Sequence, residues 1–371
     1  MIRPTAKTGE RSQTIDILRA LAVVMVLGRH MDRCPADTSA WLHQFTNVWV
    51  NGGWAGVDLF FVLSGFLVSS LLFREHARFG TISLKSFIIR RGFKIYPAFW
   101  LLTLTSVTVF LATGQRFKPL AVPSEFLFIQ NYGPALWNHT WSLAVEEHFY
   151  IFLVLLLLVL TRQKNATKPF GALPIVFATL AIVCLVLRLV MAATLPRFVD
   201  KLNLYPTHLR MDSLFAGVFI SYLYHTHLES LIAWVAKRRL LLFLGGLTLF
   251  SPAFWLRLET SPFLYTFGLT SLYVGAGLLL LATLELRLPR NVFTTAIAYV
   301  GSHSYSIYLW HMPVALWLMP WVVGAAKAGR NWFAYLAVYV GGAILWGIIM
   351  ANLLEFPLLR LRDRIFPSRA R

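Results

Sequence analysis

The sequence predicts an all-α fold, a polytopic bundle of helices embedded in a membrane. Of its 371 residues, 57% are hydrophobic and only 13% are charged, whereas about a quarter of the residues of a soluble domain are charged. The apolar residues recur in windows of about 20, the length of a helix that crosses a bilayer. Two cysteines, Cys34 and Cys184, are too few for a disulfide framework.

Taken in order along the chain, the apolar windows predict about ten spans. No secretory signal peptide is evident, because the first 13 residues are polar and no small-residue cleavage site follows the first apolar run. The spans lie near residues 15–33, 54–73, 94–112, 141–160, 172–193, 208–224, 240–256, 264–284, 298–320 and 333–354. We expect residues 1–371 to form a single transmembrane domain, with tails of about 1–14 and 356–371.

The basic residues orient this bundle. Ten spans place both termini on one side, and Lys and Arg concentrate on the cytoplasmic side of a membrane protein. With both termini in the cytoplasm, 22 of the 34 Lys and Arg residues lie on that side, 8 on the opposite side and 4 within spans. The net charge of +18 therefore indicates topology and contact with anionic membrane lipids, and not nucleic-acid binding.

The first span carries two polar side chains whose burial in a bilayer is energetically unfavourable, Arg19 and His30. Eleven positions correspond to about 16 Å of helix rise, so the two groups lie at different depths. A buried arginine usually faces a protein interior or a wet cavity, and histidine exchanges a proton near neutral pH without a large pKa shift. Two polar groups satisfied within the bundle would also fit this pattern, but we favour a catalytic site inside the membrane.

Other spans bring polar groups to a similar depth. Ser304, Tyr308 and His311 share one face of the ninth span, because they are spaced i, i+4 and i+7. The set also includes Asp58 in the second span, Trp141, Ser142, Glu146 and Glu147 in the fourth, and Arg210 and Asp212 in the sixth. In the predicted topology these groups lie toward the outer face with His30, whereas Arg19 lies toward the inner face. Polar side chains are unfavourable within a bilayer, so we do not expect this many of them to share one depth by chance.

A basic cluster stands at the cytoplasmic entrance of the third span, where the chain reads RRGFKIYP from Arg90. A basic loop before a span is ordinary positive-inside anchoring. Together with Arg19, however, the side chains of Arg90, Arg91 and Lys94 could form a pocket for phosphates, since guanidinium groups bind oxygens in a forked geometry.

These segments resemble the membrane acyltransferase-3 family, which O-acylates carbohydrates and some small-molecule natural products. The resemblance covers residues 16–357. It rests on the Arg19-to-His30 pair, GVDLFFVLSGF around Asp58, RRGFKIYP from Arg90, WSLAVEEHFY from Trp141, RMDSL from Arg210 and SYSIYLWH from Ser304.

The resemblance implies that His30 is the catalytic histidine, that Arg19 is its paired arginine, and that the basic motif before the third span serves acyl-CoA. It implies a bacterial inner-membrane enzyme with no tightly bound cofactor. Because the chain stops soon after the tenth predicted span, we expect the periplasmic esterase-like domain that some relatives carry to be absent. Two residues depart from the family pattern. Lys94 replaces a second arginine and loses the bidentate fork, and His148 stands where glutamine is frequent.

The residues also suggest the chemistry directly. Transfer of an acyl group from a thioester to a hydroxyl needs a base and donors for the developing oxyanion. His30 is the best base, and Glu146 or Glu147 could orient its ring, Glu146 being on the more polar helix face. Oxyanion or acceptor contacts could come from Ser304, Tyr308 or Arg210. Direct transfer and an acyl-histidine intermediate both remain open, and we interpret His139 and His148 as interfacial or packing residues.

Two further choices stay open at this point. A proton-coupled transporter or flippase would also place His, Arg and carboxylates within the membrane, although we find no internal repeat and no matched broken spans. The acceptor could be a cell-surface or lipid-linked glycan or a secreted small molecule, and acetyl is the most frequent acyl group in the family. No metal is expected, because no ligand set has a closed spacing. The sequence does not predict the oligomeric state.

Overall fold

The computed structural model of the protein describes residues 12–34, 39–162, 169–321 and 332–367, and this part of the chain is helical with no β-strand. The ends of the two predicted tails, residues 1–11 and 368–371, lie outside the described residues. The α-helices are α1 Gln13–Arg29, α2 Ala40–Gly52, α3 Gly56–Phe79, α4 Leu84–Ala112, α5 Ala121–Phe126, α6 Trp141–Thr161, α7 Leu173–Thr194, α8 Asp200–Asn203, α9 Met211–Thr226, α10 Leu228–Phe250, α11 Pro252–Trp255, α12 Leu269–Thr283, α13 Val292–Ser302, α14 Ser304–Pro313, α15 Trp332–Met350 and α16 Phe356–Ile365.

Within the described residues, six continuous helical stretches are long and apolar enough to cross a membrane. They are Ala40–Phe79, Leu84–Ala112, Asn138–Thr161, Leu173–Thr194, Leu264–Thr283 and Trp332–Ile365. The all-α prediction is confirmed and the protein is an integral membrane protein, but the count of about ten spans is not confirmed.

The four remaining windows fall short for identifiable reasons. Helices α1 and α9 have 17 and 16 residues, fewer than a straight span normally needs. Helix α10 is continuous but carries three consecutive cations at 237–239, which interrupt its apolar sequence. The window near 298–320 is broken at His303, where the backbone leaves the helical region between α13 and α14.

Close helix packing at glycines holds α1, α3 and α9 at the centre. A Cβ at Gly65 of α3 would clash with the backbone carbonyl of Leu214 in α9, and a Cβ at Gly217 of α9 would clash with the carbonyl of Val62. These two backbones can approach only because both residues lack a side chain, as is common where membrane helices cross. The crossing fixes α9, which carries Asp212 and follows Arg210, against α3, which carries Asp58.

The C-terminal helices cover the His30 end of α1. Tyr339 of α15 is buried and donates a hydrogen bond to the carbonyl oxygen of Leu27 at 3.2 Å. Helix α15 also lies against α14, where Gly347 leaves room for the backbone of Ile307. Helix α14 is thus held beside the end of α1, which brings His311 to His30.

Candidate active site

Helix α1 places Arg19 and His30 in two different cavities. Arg19 lines a cavity of about 290 Å³, and His30, which follows the last residue of the helix, lines one of about 70 Å³. We call the larger one the basic cavity, because its lining includes Arg19, Arg74, Arg91 and Lys94. We call the smaller one the histidine cavity, because its lining includes His30 and His139.

His311, on α14, orients the His30 ring. His30 Nδ1 lies 3.1 Å from His311 Nε2 and 3.2 Å from the carbonyl oxygen of Val26. His311 Nδ1 lies 2.6 Å from the carbonyl oxygen of Tyr308. Because a carbonyl oxygen only accepts, a neutral His311 carries its proton on Nδ1, the atom next to Tyr308. The Nε2 atom of His311 is then an acceptor, and the Nδ1–H group of His30 donates to it. The lone pair of a neutral His30 is then on Nε2.

His139 completes a cluster of three imidazoles. Its ring centroid lies 5.0 Å from that of His311 and 6.5 Å from that of His30. His139 Nε2 lies 3.2 Å from the carbonyl oxygen of Leu309, while Nδ1 has no hydrogen-bond partner among the described residues. We had interpreted His139 as interfacial or packing. It lies in the short 3-10 turn Asn138–Thr140, and such a turn has no periodicity from which its neighbours could be predicted.

Trp141 and Arg210 also line the histidine cavity. Trp141 stacks on Tyr205, with ring centroids 4.9 Å apart and planes 10° apart. The guanidinium carbon of Arg210 lies 5.7 Å from the centre of the Trp141 ring, within reach of a cation–π interaction. The rest of the lining consists of Val26, Arg29, Trp54, Val57, Asn138, Asp200, Leu204, Leu258 and Tyr308.

Arg210 is held in place by Asp58. Arg210 Nη2 lies 2.8 Å from Asp58 Oδ1, both side chains are fully buried, and Ser213 donates to the same oxygen at 3.2 Å. Nε and Nη1 of Arg210 have no partner among the described residues. Asp58 lines neither cavity. The structure therefore places Asp58 as the support of Arg210, and Arg210 as the group that faces the histidine cavity.

A second buried ion pair supports the same segment. Asp212 accepts from Arg188 of α7 at 2.5 Å, and both side chains are fully buried. Arg188 also donates to the carbonyl oxygen of Leu209 from Nε at 2.8 Å and from Nη2 at 2.6 Å. Because Leu209 immediately precedes Arg210, this pair fixes the start of α9. Asp212 lines neither cavity, and Arg188, a lone arginine in an apolar run, was predicted only as a charge within a span.

Glu146 faces the basic cavity. Tyr150 donates to Glu146 Oε2 at 2.6 Å, and the Tyr150 hydroxyl lies 2.7 Å from Ser64 Oγ. The guanidinium carbon of Arg91 lies 4.7 Å from the centre of the Tyr150 ring. Glu146 is therefore placed with the cations of this cavity and lines it, whereas the partner of His30 in the structure is His311.

Glu147 contacts a different helix from Glu146. Its Oε2 accepts from the Tyr96 hydroxyl of α4 at 2.9 Å, and it lines neither cavity. Adjacent helical residues point about 100° apart, so only one of the two glutamates can face a given cavity. The structure thus places neither Glu146 nor Glu147 where it could orient the His30 ring, the role that we had expected one of them to have.

Arg90 is bound to the C-terminal helix. It forms an ion pair with Asp363 of α16 at 3.0 Å and donates to the carbonyl oxygen of Phe366 at 2.6 Å. It is absent from the lining of the basic cavity, which includes Arg91 and Lys94 as predicted. The lining also includes Arg74, near the end of α3, which had been counted only as a cytoplasmic charge.

Tyr308 and Val57 separate the two cavities, since both residues line both of them. The Tyr308 hydroxyl donates to the carbonyl oxygen of His139 at 2.6 Å, and it lies 2.7 Å from Ser142 Oγ. Ser304, four residues earlier, lines the basic cavity, and His311, three residues later, reaches His30. The predicted polar face of α14 therefore extends from one cavity to the other.

A buried carboxyl group holds the turn that carries His139. Glu125 Oε1 accepts from the Thr140 hydroxyl at 3.1 Å and from the backbone N–H groups of Leu136 and Trp137 at 2.9 and 3.4 Å. Burial raises the pKa of Glu125 to about 7, and the three donated hydrogen bonds oppose this rise. Glu125 was not singled out in the sequence, because a glutamate in a connecting segment resembles any solvated surface residue.

The fold and the site together define a class of protein: a helical enzyme embedded in a membrane, with an imidazole cluster on one side of a thin wall and a basic cavity on the other. The chain belongs to the acyltransferase-3 family, because residues 13–352 match the family described as an acyltransferase domain. This confirms the membership predicted from the motifs.

Several bacterial proteins resemble the chain over most of its length. It is 28% identical over 337 residues to "Peptidoglycan O-acetyltransferase OatA" of Listeria monocytogenes, covering 85% of this chain and 51% of that protein. It is 27% identical over 381 residues to "Putative peptidoglycan O-acetyltransferase YrhL" of Bacillus subtilis, covering 96% of this chain and 56% of that protein. The chain thus spans about half the length of the relatives it matches. No solved structure matches it significantly.

Proposed function

We propose that the protein is a membrane-bound O-acyltransferase that moves an acetyl group from acetyl-CoA to a hydroxyl group of a glycan, with His30 as the general base. The observation that carries the proposal is the pairing of two sites. A histidine with its Nε2 lone pair unused lies on one side of Tyr308, and a cavity lined by four cations lies on the other.

The basic cavity suits the donor. Coenzyme A carries several phosphates, and Lys and Arg side chains bind phosphate oxygens through charge-assisted hydrogen bonds. Arg74, Arg91 and Lys94 all line the cavity and belong to the segments that the positive-inside rule assigns to the cytoplasm. The coenzyme would therefore enter from the cytosol, and its extended arm would carry the thioester toward Tyr308.

The histidine cavity suits the acceptor. The acceptor hydroxyl gives its proton to His30 Nε2 while its oxygen attacks the thioester carbonyl carbon. The tetrahedral intermediate then breaks its C–S bond, and the coenzyme leaves as the thiol after taking the proton from His30. The unpartnered N–H groups of Arg210 are donors for the oxyanion. The net reaction exchanges a thioester and an alcohol for an ester and a thiol.

A glycan acceptor is proposed from the relatives. The names of the Listeria and Bacillus proteins refer to O-acetylation of peptidoglycan, a polymer that lies outside the cytoplasmic membrane. A donor site open to the cytosol and an acceptor site open to the outside would connect a cytosolic coenzyme to such a polymer. The proposal therefore includes a location in the bacterial inner membrane, with both termini in the cytoplasm as the positive-inside rule predicts.

Sealed right-side-out membrane vesicles test the proposal. Acceptor glycan supplied outside should be acetylated only when acetyl-CoA is loaded inside, and a single cysteine introduced beside Arg91 should react with an impermeant reagent only from inside. Acetylation with both substrates outside intact vesicles would contradict the proposed sidedness. Detergent-purified protein with no gradient separates the enzyme from a transporter, because an enzyme still forms the ester and a transporter does not.

A further inference from the structure

We propose that His139 binds a second hydrogen-bond donor of the acceptor, next to the hydroxyl that reacts, so that the preferred acceptor presents two such groups on one sugar residue. This inference rests on the proposed function and specifies the acceptor of that same site. His139 is not among the residues to which the sequence motifs gave a role.

The argument begins with the proton on the His139 ring. His139 Nε2 lies 3.2 Å from the carbonyl oxygen of Leu309. Because a carbonyl only accepts, the N–H of a neutral His139 is on Nε2 and the lone pair is on Nδ1. That lone pair is buried, since His139 is 2% exposed, and it has no partner among the described residues.

An unsatisfied buried acceptor is unfavourable, and most are satisfied by a protein group, water or a ligand. His139 lines the histidine cavity together with His30. An acceptor molecule that enters this cavity would meet the unused lone pair of His30 Nε2 and, once it displaces part of the lining, the enclosed lone pair of His139 Nδ1. Both call for a donor, so a lone hydroxyl satisfies one and leaves the other without a partner.

The spacing of the two rings suits a sugar. Their centroids are 6.5 Å apart, and their planes are inclined by 70°. With a hydrogen bond of about 2.8 Å to each ring, two hydroxyls of one sugar residue can reach both imidazoles. Arg210 lines the same cavity, and its unpartnered N–H groups stay available for the oxyanion.

Two substitutions separate this role from a structural one. In H139Q the amide N–H₂ lies at the level of Nε2 and can keep the bond to Leu309, but the acceptor at the level of Nδ1 is lost. In H139N an oxygen replaces Nδ1 and the bond to Leu309 is lost. If His139 binds the acceptor, H139Q should raise the acceptor KM roughly tenfold, as expected for one lost hydrogen bond, and H139N should stay closer to wild type. If His139 only anchors its turn to α14, H139N should impair the enzyme more than H139Q, because H139N loses the bond to Leu309.

The probes are two small alcohols, trans-1,2-cyclohexanediol and cyclohexanol, given to the purified full-length protein with acetyl-CoA. The wild type should acetylate the diol with roughly tenfold higher kcat/KM, and H139Q should lose this preference. The preference is a ratio within one protein sample, so partial unfolding does not change it. Equal preference in wild type and H139Q would overturn the inference.

The same assay keeps the two proposals apart. Hydrolysis of acetyl-CoA by water needs His30 but no second hydroxyl, so H30Q should lose both hydrolysis and transfer, whereas H139Q should lower transfer to the diol relative to hydrolysis. If transfer depends on His30 but neither His139 variant alters the acceptor KM, only the present inference fails. If the wild type transfers acetyl to neither alcohol nor to any glycan, the proposed function fails, and this inference fails with it.

Discussion

The basic cavity and the histidine cavity bind in different ways, although they share a wall. The basic cavity is about four times larger, 290 against 70 Å³, and has four cations in its lining. The histidine cavity offers imidazole lone pairs, and the two arginines in its lining, Arg29 and Arg210, are each paired with a carboxylate. The first is suited to a large, highly charged ligand, and the second to positioning neutral hydroxyls and moving a proton. Binding of a charged ligand and proton transfer are therefore assigned to different ends of the same helices, since α1 and α14 contribute to both cavities.

The largest effect is expected at His30. H30Q keeps a polar side chain of similar size but removes the base, so kcat should fall by about 10² to 10⁴, the range for general-base catalysis. The measurement is ester formation by purified protein at saturating acetyl-CoA and acceptor. H227Q, at an exposed histidine between α9 and α10, is the matched control and should retain wild-type activity. Near-normal turnover by H30Q would remove the chemistry from the histidine cavity.

The next effect concerns the charge balance beside that cavity. D58N leaves Arg210 as a buried cation without its ion-pair partner, and breaking a buried pair costs about 3–5 kcal/mol. Thermal unfolding in detergent should show a clear drop in Tm. D363N, which breaks the partly exposed pair with Arg90, should cost less than about 1 kcal/mol. An equal drop in Tm in the two variants would show that the buried ion pair stabilises the protein no more than the partly exposed one.

A smaller effect should depend on pH. The pKa of Glu125 is raised to about 7 in the folded protein, against an ordinary value near 4.5, so the folded state binds the proton more tightly than the unfolded state. The contribution of Glu125 to stability therefore falls as pH rises from about 4.5 to 7, by about 1.4 kcal/mol per pH unit. Between pH 5.5 and 8 the wild type should lose Tm relative to E125Q, whose amide does not titrate. Parallel Tm curves for the two proteins would contradict the raised pKa.

The smallest effect is expected at the basic cavity, on the KM for acetyl-CoA. R91Q should raise the KM for acetyl-CoA several-fold and leave the KM for the acceptor unchanged. R90Q should change the KM for acetyl-CoA less, because Arg90 is bound to Asp363 and Phe366 and lies outside the cavity lining. The wild-type KM for acetyl-CoA should also rise with salt, as expected for screened charges, and more steeply than in R91Q. Equal weakening toward both substrates would instead favour a role in membrane anchoring.

The sequence predicted what one helix determines by itself. The separation of Arg19 and His30 on α1 follows from helical rise, and the shared face of Ser304, Tyr308 and His311 follows from helical period. Both features are found in the structure, where the first pair lies in separate cavities and the second set extends from the basic cavity to His30.

The errors concern contacts between helices. Which side chain meets His30 depends on how α14 and α6 lie beside α1, and sequence spacing carries no information on this. His311 is therefore found where a glutamate was expected. Arg90 and Arg91 are adjacent in sequence, yet only the packing of α16 determines that one binds Asp363 while the other lines the cavity. The count of about ten spans is not confirmed among the described residues, because α1 and α9 are short and the 298–320 window is broken at His303.

The wall formed by Tyr308 and Val57 has a consequence for the energy balance of the cell. If the two cavities open to opposite faces of the membrane, as proposed, this wall is also the only insulation along that path against the proton gradient. The acetyl group must pass while protons and small ions do not. A tyrosine hydroxyl fixed between Ser142 and the carbonyl of His139 stands in that path, so we expect the resting enzyme to span the bilayer without conducting protons.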